Sequence, residues 1–363
     1  MIVMRARILI NGNFLCRSLT GIERFAWEVC ERLDRLSSAD DGIALLVPAN
    51  AHTMPAYTNI QVVRSEQAIH AFPLWDMGTF AFMCQKMHAT ALSFSNTAPL
   101  GRHCGIAFLH DIYAQDCPQD FVTYRDRLVR IYSKLHYRNI ARNAQALITV
   151  SAFSKRRIMR AYHVPESRIR VIGNGWEHFA SIQADDSIFS RFPQLKDGAY
   201  FFTLGSLSRR KNLAWIVSYA ERHPEETFAV SGKAIRGLVP PELKALQSLN
   251  NVVLLGYVSD SEIKALMHRC AAFIFPSYYE GFGIPPLEAL STGAAVVCAR
   301  GTSLSEIYGD TVHYIDAYDT NCDLRALIAE PVASPNEVLA RYTYQHAAEQ
   351  LYEVIKETQG AGQ

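Results

Sequence analysis

Pro276-Ser277-Tyr278-Tyr279-Glu280-Gly281-Phe282-Gly283-Ile284-Pro285-Pro286-Leu287-Glu288-Ala289-Leu290 joins a short apolar run, Ala271 to Phe275, to a stretch of helical pattern. It reads as strand, loop and helix start. Gly281 and Gly283 permit backbone angles, or a close approach, that a Cβ forbids. Pro285 and Pro286 suit the first helical positions, where the ladder needs no N–H. The loop therefore aims a helix N-terminus outward, and free amides at the positive dipole end suit an anion, typically phosphate. Glu280 precedes the amides of Gly283 and Ile284, and Glu288 lies about one turn into the helix. Both carboxylates can face one ligand while the amides between them hold its phosphate. A carboxylate accepts hydrogen bonds from a vicinal diol, the group that a ribose or a sugar ring offers.

Around this stretch the composition is that of a globular chain. With 363 residues, 49% hydrophobic and 20% charged, it is long enough for two domains of common size. A net charge of +1 gives no global argument for nucleic acid or membrane. The eight cysteines show no Cys-x-x-Cys and no paired spacing, which fits a reduced, cytoplasmic compartment. The apolar run near Met1 to Ile10 is too short for a signal peptide. No uncharged apolar run approaches the ~20 residues that span a bilayer.

Strands and helices alternate along the first half. Arg7 to Ile10 is a strand, Asn11-Gly12-Asn13 turns, and Thr20-Gly21-Ile22 opens an amphipathic helix with Phe25, Val29, Leu33 and Leu36 on one face. Strand, glycine-bearing loop and helix make a second phosphate-approach geometry at Gly21. Ile43 to Val47, Ile60 to Val63 and Ala91 to Phe94 are further strands, with a helical stretch from Phe72 to Met87. Gly105 to Leu109 is a buried strand ending in His110-Asp111. Ligands of open parallel sheets sit beyond the carboxyl ends of the strands, where His110 falls. Leu147 to Val150 followed by Ser151 gives a strand and a helix N-cap, and Arg168 to Ile172 gives a strand ending at Gly173-Asn174-Gly175. These elements imply a domain over 1–178, a weakly patterned linker over 179–198, a second domain over 199–340, and a helix and tail over 341–363.

Between Tyr124 and Arg170 the chain carries twelve basic side chains against two acidic ones. Arg127, Arg130, Lys134, Arg138 and Arg142 recur at helical spacing, with Leu128, Ile131, Tyr132 and Leu135 on a neighbouring face. That is the pattern of a helix lying on an anionic membrane surface; a solvated charged face, or a wall that draws an anionic ligand inward, would look the same.

The second half repeats the design. Tyr200 to Leu204 is a strand, and Gly205-Ser206-Leu207-Ser208-Arg209-Arg210-Lys211-Asn212 opens a helix through Leu213, Ile216 and Val217. Arg209, Arg210 and Lys211 can neutralise a diphosphate, each Arg gripping two oxygens at once. Strands Phe228 to Ser231 and Val252 to Leu255 finish beside the same crevice, at Gly232-Lys233 and at Gly256-Tyr257-Val258.

Taken together, the spacing Glu280-x7-Glu288 with Gly-Phe-Gly and Pro-x-Leu inside it resembles the donor-site motif of the retaining family 4 glycosyltransferases of the GT-B fold. The resemblance covers nearly the whole chain and is most specific from Phe201 to Ile315. It includes His110-Asp111, Val150-Ser151-Ala152-Phe153-Ser154-Lys155 with the later Asn174-Gly175, and Arg210-Lys211-Asn212. It implies two Rossmann-like doubly wound domains facing a cleft, with a C-terminal helix crossing back to the first. By the same resemblance Glu280 touches the transferred sugar, His110 contacts that sugar near the reacting carbon, and Glu288 binds the nucleotide ribose. Lys211 and Arg210 take the leaving phosphates, Tyr257 and Val258 frame the nucleobase, Gly232 lines its pocket, and Gly21 and Asp111 line the cleft on the acceptor side. Three departures stand out. Two adjacent glycines are usual where this chain has only Gly21; Ser206 replaces an Arg, leaving its charge to Arg209 or Arg210; and Tyr344 replaces a Trp.

The resemblance implies transfer of a sugar from a nucleotide diphosphate sugar to an acceptor hydroxyl with retention at the anomeric carbon. Members that build bacterial surface polysaccharides are similar here, which favours mannose from GDP-mannose, with a UDP-sugar as the other donor, and a glycan or lipid-linked oligosaccharide as acceptor. With no Asp-x-Asp in the chain, no cofactor and no metal are expected, and cationic side chains with the helix dipole stabilise the departing diphosphate. A nucleotide-sugar epimerase or hydrolase on the same architecture, and a non-catalytic nucleotide or glycan binder, are the rival readings. An epimerase or hydrolase would turn over donor with no acceptor present.

Overall fold

A computed structural model describes residues 7–204, 208–232 and 245–360. Gly205, Ser206 and Leu207 of the expected phosphate loop, and Lys233, lie outside the described residues. The chain forms two compact units, one running to Gly175 and including the segment from Tyr342 onward, the other from Trp176 to Arg341.

The first unit is built on seven parallel strands: β1 (Ile8–Asn11), β2 (Ile43–Val47), β3 (Gln61–Arg64), β4 (Thr90–Ser93), β5 (Ile106–Phe108), β6 (Ala146–Thr149) and β7 (Ile169–Val171). Their order is β3-β2-β1-β4-β5-β6-β7. Near-continuous apolar runs are what a sheet covered on both faces requires. Ile8 and Ile10 pack into one core with Phe25, Val29 and Leu33, while Leu9 packs into the opposite one with Trp75 and Phe80. The helix Tyr344–Gly360 completes the first of these cores, laying Tyr344, Leu351 and Ile355 beside the helix Gly21–Leu36. Tyr344 is fully buried there.

The second unit carries β8 (Tyr200–Leu204), β9 (Thr227–Ser231), β10 (Val252–Gly256), β11 (Ala272–Phe275), β12 (Val296–Ala299) and β13 (His313–Ile315). All pairs are parallel, in the order β10-β9-β8-β11-β12-β13. Strand order reverses between β8 and β11, which pair through Ala272 with Phe201 and Phe273 with Phe202. Crevices form at such reversals because the chain leaves the two strands toward opposite faces.

The segment expected as a linker, 179–198, is folded into the second unit. Short helices span Glu177–Ala180 and Ser187–Arg191, and Phe179, Ile188 and Leu195 are buried. Weak periodicity here reflects elements of one turn, too short to show a repeat.

Candidate functional site

In the second unit the predicted residues gather on the two loops that leave β8 and β11. The β8 loop ends in a tight turn, Arg209–Lys211, and Asn212 then takes a left-handed conformation, φ +58°, before the helix Leu213–Arg222. Asn tolerates that backbone better than most residues. Its Nδ2 donates to the carbonyls of Pro276 at 3.0 Å and Ala317 at 2.7 Å. With the Tyr278 amide donating to the Arg210 carbonyl at 3.1 Å, this side chain ties the two loops into one frame.

Across that frame Glu280 is buried between two cations. Lys211 Nζ donates to its Oε1 at 2.7 Å, and Arg210 Nη1 lies 3.5 Å from Oε2. The Lys211 ammonium also sits 4.6 Å from the Phe275 ring centroid, a favourable cation–π placement. Burial by itself raises the Glu280 carboxyl, but the charges of Lys211 and Arg210 more than offset this and hold it below the usual glutamate range. The carboxylate is therefore ionised at neutral pH, and it holds the two cations beside the β11 loop. Arg209 is exposed and takes no part in the pairing.

Gly283 precedes the helix Ile284–Ser291 at φ +94°, and a Cβ there would meet Leu304 Cδ2 at 2.5 Å. The positive φ is what requires glycine, and a Cβ would in addition force Leu304 to shift. Because Pro285 and Pro286 have no N–H, the amides of Gly283 and Ile284 are the donors this helix start offers an anion. The loop is braced from below: Ser303 Oγ lies 2.9 Å from the Glu280 carbonyl and 3.1 Å from that of Phe282, and Tyr308 Oη donates to the Gly283 carbonyl. One turn along the helix, Glu288 is mostly buried with Oε1 3.1 Å from His178 Nε2. Gly232 donates its amide to the Gly256 carbonyl at 3.2 Å, joining the ends of β9 and β10. Beyond them Val258 is buried and Tyr257 is exposed.

The remaining predicted residues belong to the first unit. His110 is buried after β5, its Nε2 donating to the Phe94 carbonyl at 2.7 Å and its backbone amide to Asn96 Oδ1 at 2.7 Å. A carbonyl acceptor places the proton on Nε2. Burial lowers the pKa of His110, so the ring is neutral at pH 7. Asp111 accepts from the Tyr113 amide at 3.0 Å, closing a turn. Gly21 is the exposed first residue of its helix.

Two side chains escaped the sequence reading. Glu23 follows Gly21 by two positions in the first helical turn, accepts from Thr20 Oγ1 and is buried. The Thr-x-x-Glu pattern of a helix start was the available signal. His178 carried none, because its partner Glu288 is remote in sequence.

Two Rossmann-like parallel sheets, each with its strand order reversing once, define the GT-B architecture, and the cations and amides of the second unit are of the kind that receive phosphates. Comparison with known proteins agrees on the architecture and gives the family. Residues 19–178 match the family model Glycosyltransferase Family 4, and residues 185–344 match Glycosyl transferases group 1. The chain belongs to this family of glycosyltransferases. O-antigen chain mannosyltransferase B of Escherichia coli is 29% identical over 225 residues, which are 60% of this chain and 58% of that protein. The chain thus spans little more than half the length of that relative. O-antigen chain mannosyltransferase RfbU of Salmonella typhimurium is 25% identical over 264 residues, 69% of this chain and 68% of that protein. Among solved structures, HepE of Anabaena in complex with UDP-glucose shares the fold with a TM-score of 0.66 at 18% identity, over 97% of this chain and 99% of that one.

Proposed function

We propose that this protein transfers a hexosyl residue from a nucleotide sugar to a glycan or lipid-linked oligosaccharide in bacterial surface polysaccharide synthesis, with retention at the anomeric carbon. The observation that carries the reading is the cluster of half-buried Lys211 and Arg210 around buried Glu280 at the strand-order reversal of the second sheet. Mannose is the favoured sugar, on the named activity of the two O-antigen relatives, and GDP-mannose is the donor that the motif resemblance favours. The UDP-glucose held by HepE keeps a UDP-sugar as the second.

In this reading the diphosphate binds the amides of Gly283 and Ile284, with Lys211 and Arg210 turning toward its oxygens. As the glycosidic bond breaks, negative charge grows on the leaving phosphate, where these donors stabilise it more than in the ground state. Glu280 orients the sugar and Glu288 takes the ribose diol. Val258 and Tyr257 frame the base, Gly232 and Arg209 border the nucleotide, and His110 meets the sugar, with Asp111 and Gly21 on the acceptor side. Fixed positive charge from the protein supports transfer in the presence of a chelator.

Membrane-surface docking belongs to the same reading. Among the described residues no helix is long and apolar enough to cross a membrane. The helix Tyr124–Asn143, however, exposes Tyr124, Leu128, Ile131 and Leu135 at successive turns, with Arg127, Arg138 and Arg142 exposed beside them. An apolar stripe edged by arginines fits anionic lipid.

The test is a thermal-shift panel of GDP, UDP, dTDP and ADP with and without Mg²⁺, followed by product analysis of the selected nucleotide's sugar with and without acceptor. A ligand of the folded state raises the midpoint, by about 2.7 kcal/mol of stability at a hundredfold excess over Kd. One selective nucleotide, indifferent to metal, with acceptor-dependent turnover supports transfer. Donor turnover without acceptor supports an epimerase or hydrolase, and no shift by any nucleotide overturns the proposal.

A further inference from the structure

His178 stands on a single helical turn, Glu177–Ala180, at the start of the second unit. So short a helix has no stability of its own, and this one is fixed from outside. Lys264 Nζ donates to the carbonyls of Phe179 at 2.8 Å, Ala180 at 3.2 Å and Ile182 at 2.7 Å, taking up acceptors that the helix end leaves open. Just before it, Trp176 Nε1 donates to the Leu339 carbonyl at 2.9 Å. The imidazole held on this mount is almost wholly buried and places Nε2 3.1 Å from Glu288 Oε1. Nε2 is the ring nitrogen that faces the carboxylate oxygen, an acceptor, so it is the donor of this contact.

The consequence concerns direction. A glutamate side chain turns about three bonds, and an unheld carboxylate must be ordered when a ligand binds; one already held by a rigid donor gives up less freedom. With Oε1 engaged by His178, Oε2 is the oxygen presented to a hydroxyl pair. We propose that His178 is a positioning residue for nucleotide binding, locking the Glu288 carboxylate in the orientation that receives the 2′- and 3′-hydroxyls of a nucleoside diphosphate. The claim rests on the reading above in which Glu288 takes the ribose.

The experiment uses the full-length protein and isothermal titration with GDP and 2′,3′-dideoxy-GDP, or the UDP pair if the thermal-shift panel selects UDP. His178→Phe keeps the ring volume and removes the donor, whereas His178→Gln keeps an N–H donor. His178→Phe is expected to weaken GDP about tenfold, or 1.4 kcal/mol, and to leave the dideoxy nucleotide within about twofold. His178→Gln should recover most of the loss, and His178→Phe in a Glu288→Ala background should cause no further loss of GDP affinity. Equal weakening of both nucleotides, or unchanged GDP affinity in His178→Phe, would overturn the positioning role while leaving the transferase reading intact. Absence of binding to any nucleoside diphosphate by the wild-type protein would overturn both. If His178→Phe does not fold, His178→Gln and Glu288→Ala carry the test: a Gln variant that discriminates no better than Glu288→Ala refutes it.

Discussion

Lys211 and Glu280 form a mostly buried ion pair at 2.7 Å, and the two residues answer for each other. Removing one partner of such a pair strands the other, at about 3–5 kcal/mol, whereas neutralising both is far milder. Because Arg210 stays 3.5 Å from Glu280, Lys211→Met should lower stability by less than that in urea titration, and Lys211→Met with Glu280→Gln should recover much of the loss. Activity should not follow. Each single variant is expected to lose at least ~100-fold in transfer, and the double variant to remain inactive, because the leaving-group charge is still unmet. Acid should act through two kinds of group. His110 and His136 are buried with pKa values below the ordinary 6.5, for which burial is the first cause. Their unfolded forms bind protons that the folded forms refuse, so their share of stability is complete above pH 6.5 and is lost as pH falls through the lowered values. Glu280 acts later, its share complete above the ordinary 4.5 and lost as pH falls through its lowered value. A melting midpoint that begins to fall between pH 7 and 6, before carboxylates titrate, is the expected record.

At the scale of elements, the helix Tyr124–Asn143 divides into two halves. Toward its C-terminus His136, Tyr137, Asn139 and Ile140 are buried, while its first three turns present apolar side chains outward. The periodicity placed Tyr132 on the apolar face with Leu128 and Leu135. Tyr132 turns inward instead, its ring 4.6 Å from that of His136. Several of the basic residues are also committed within the unit: Arg130 to the Ala114 carbonyl at 3.0 Å, Arg157 to Asp116, and Arg168 to the Ala144 carbonyl at 2.9 Å. In the proposed docking the attraction to anionic lipid therefore rests on Arg127, Arg138, Arg142 and their neighbours. Leu128→Ser with Leu135→Ser should reduce sedimentation with vesicles of anionic phospholipid by several-fold, with transfer to a water-soluble acceptor unchanged; equal sedimentation would refute docking by this face. The helix Tyr344–Gly360 has a different role. Tyr352 Oη donates to Asp41 at 2.9 Å, Lys356 pairs with the same carboxylate, and Gln359 Nε2 donates to the Asp41 carbonyl at 2.8 Å. Its apolar face completes the first core. Leu351→Ala should cost about 2–5 kcal/mol, measured by chemical denaturation, since the methyl groups it removes leave a cavity between two helices.

Over the whole molecule, all eight cysteines are free thiols, five of them buried, and burial pushes Cys84, Cys104 and Cys270 up to about 12. Reducing agent should leave the melting midpoint unchanged, and native thiol titration should find no rapid reaction beyond Cys16 and Cys322, because thiolate is the reactive form. The same contrast of local and distant causes separates what was legible in the chain from what was not. Alternation of apolar runs with amphipathic helices, and the glycines and prolines of residues 281–286, determined two doubly wound sheets and the tight turn into the helix Ile284–Ser291, since backbone preference and periodicity act over a few residues. Lys211, Arg210, Glu280 and Glu288 were legible for that reason, each standing at the end of a recognisable strand or the start of a helix. Only the tertiary structure decided that Glu280 is locked between Arg210 and Lys211, that His178 holds Glu288, that Tyr132 leaves the exposed stripe, and that residues 179–198 fold into the second unit. Those outcomes depend on burial and on partners far apart in sequence, and side-chain charge and polarity are settled by what the folded chain brings within a few ångströms.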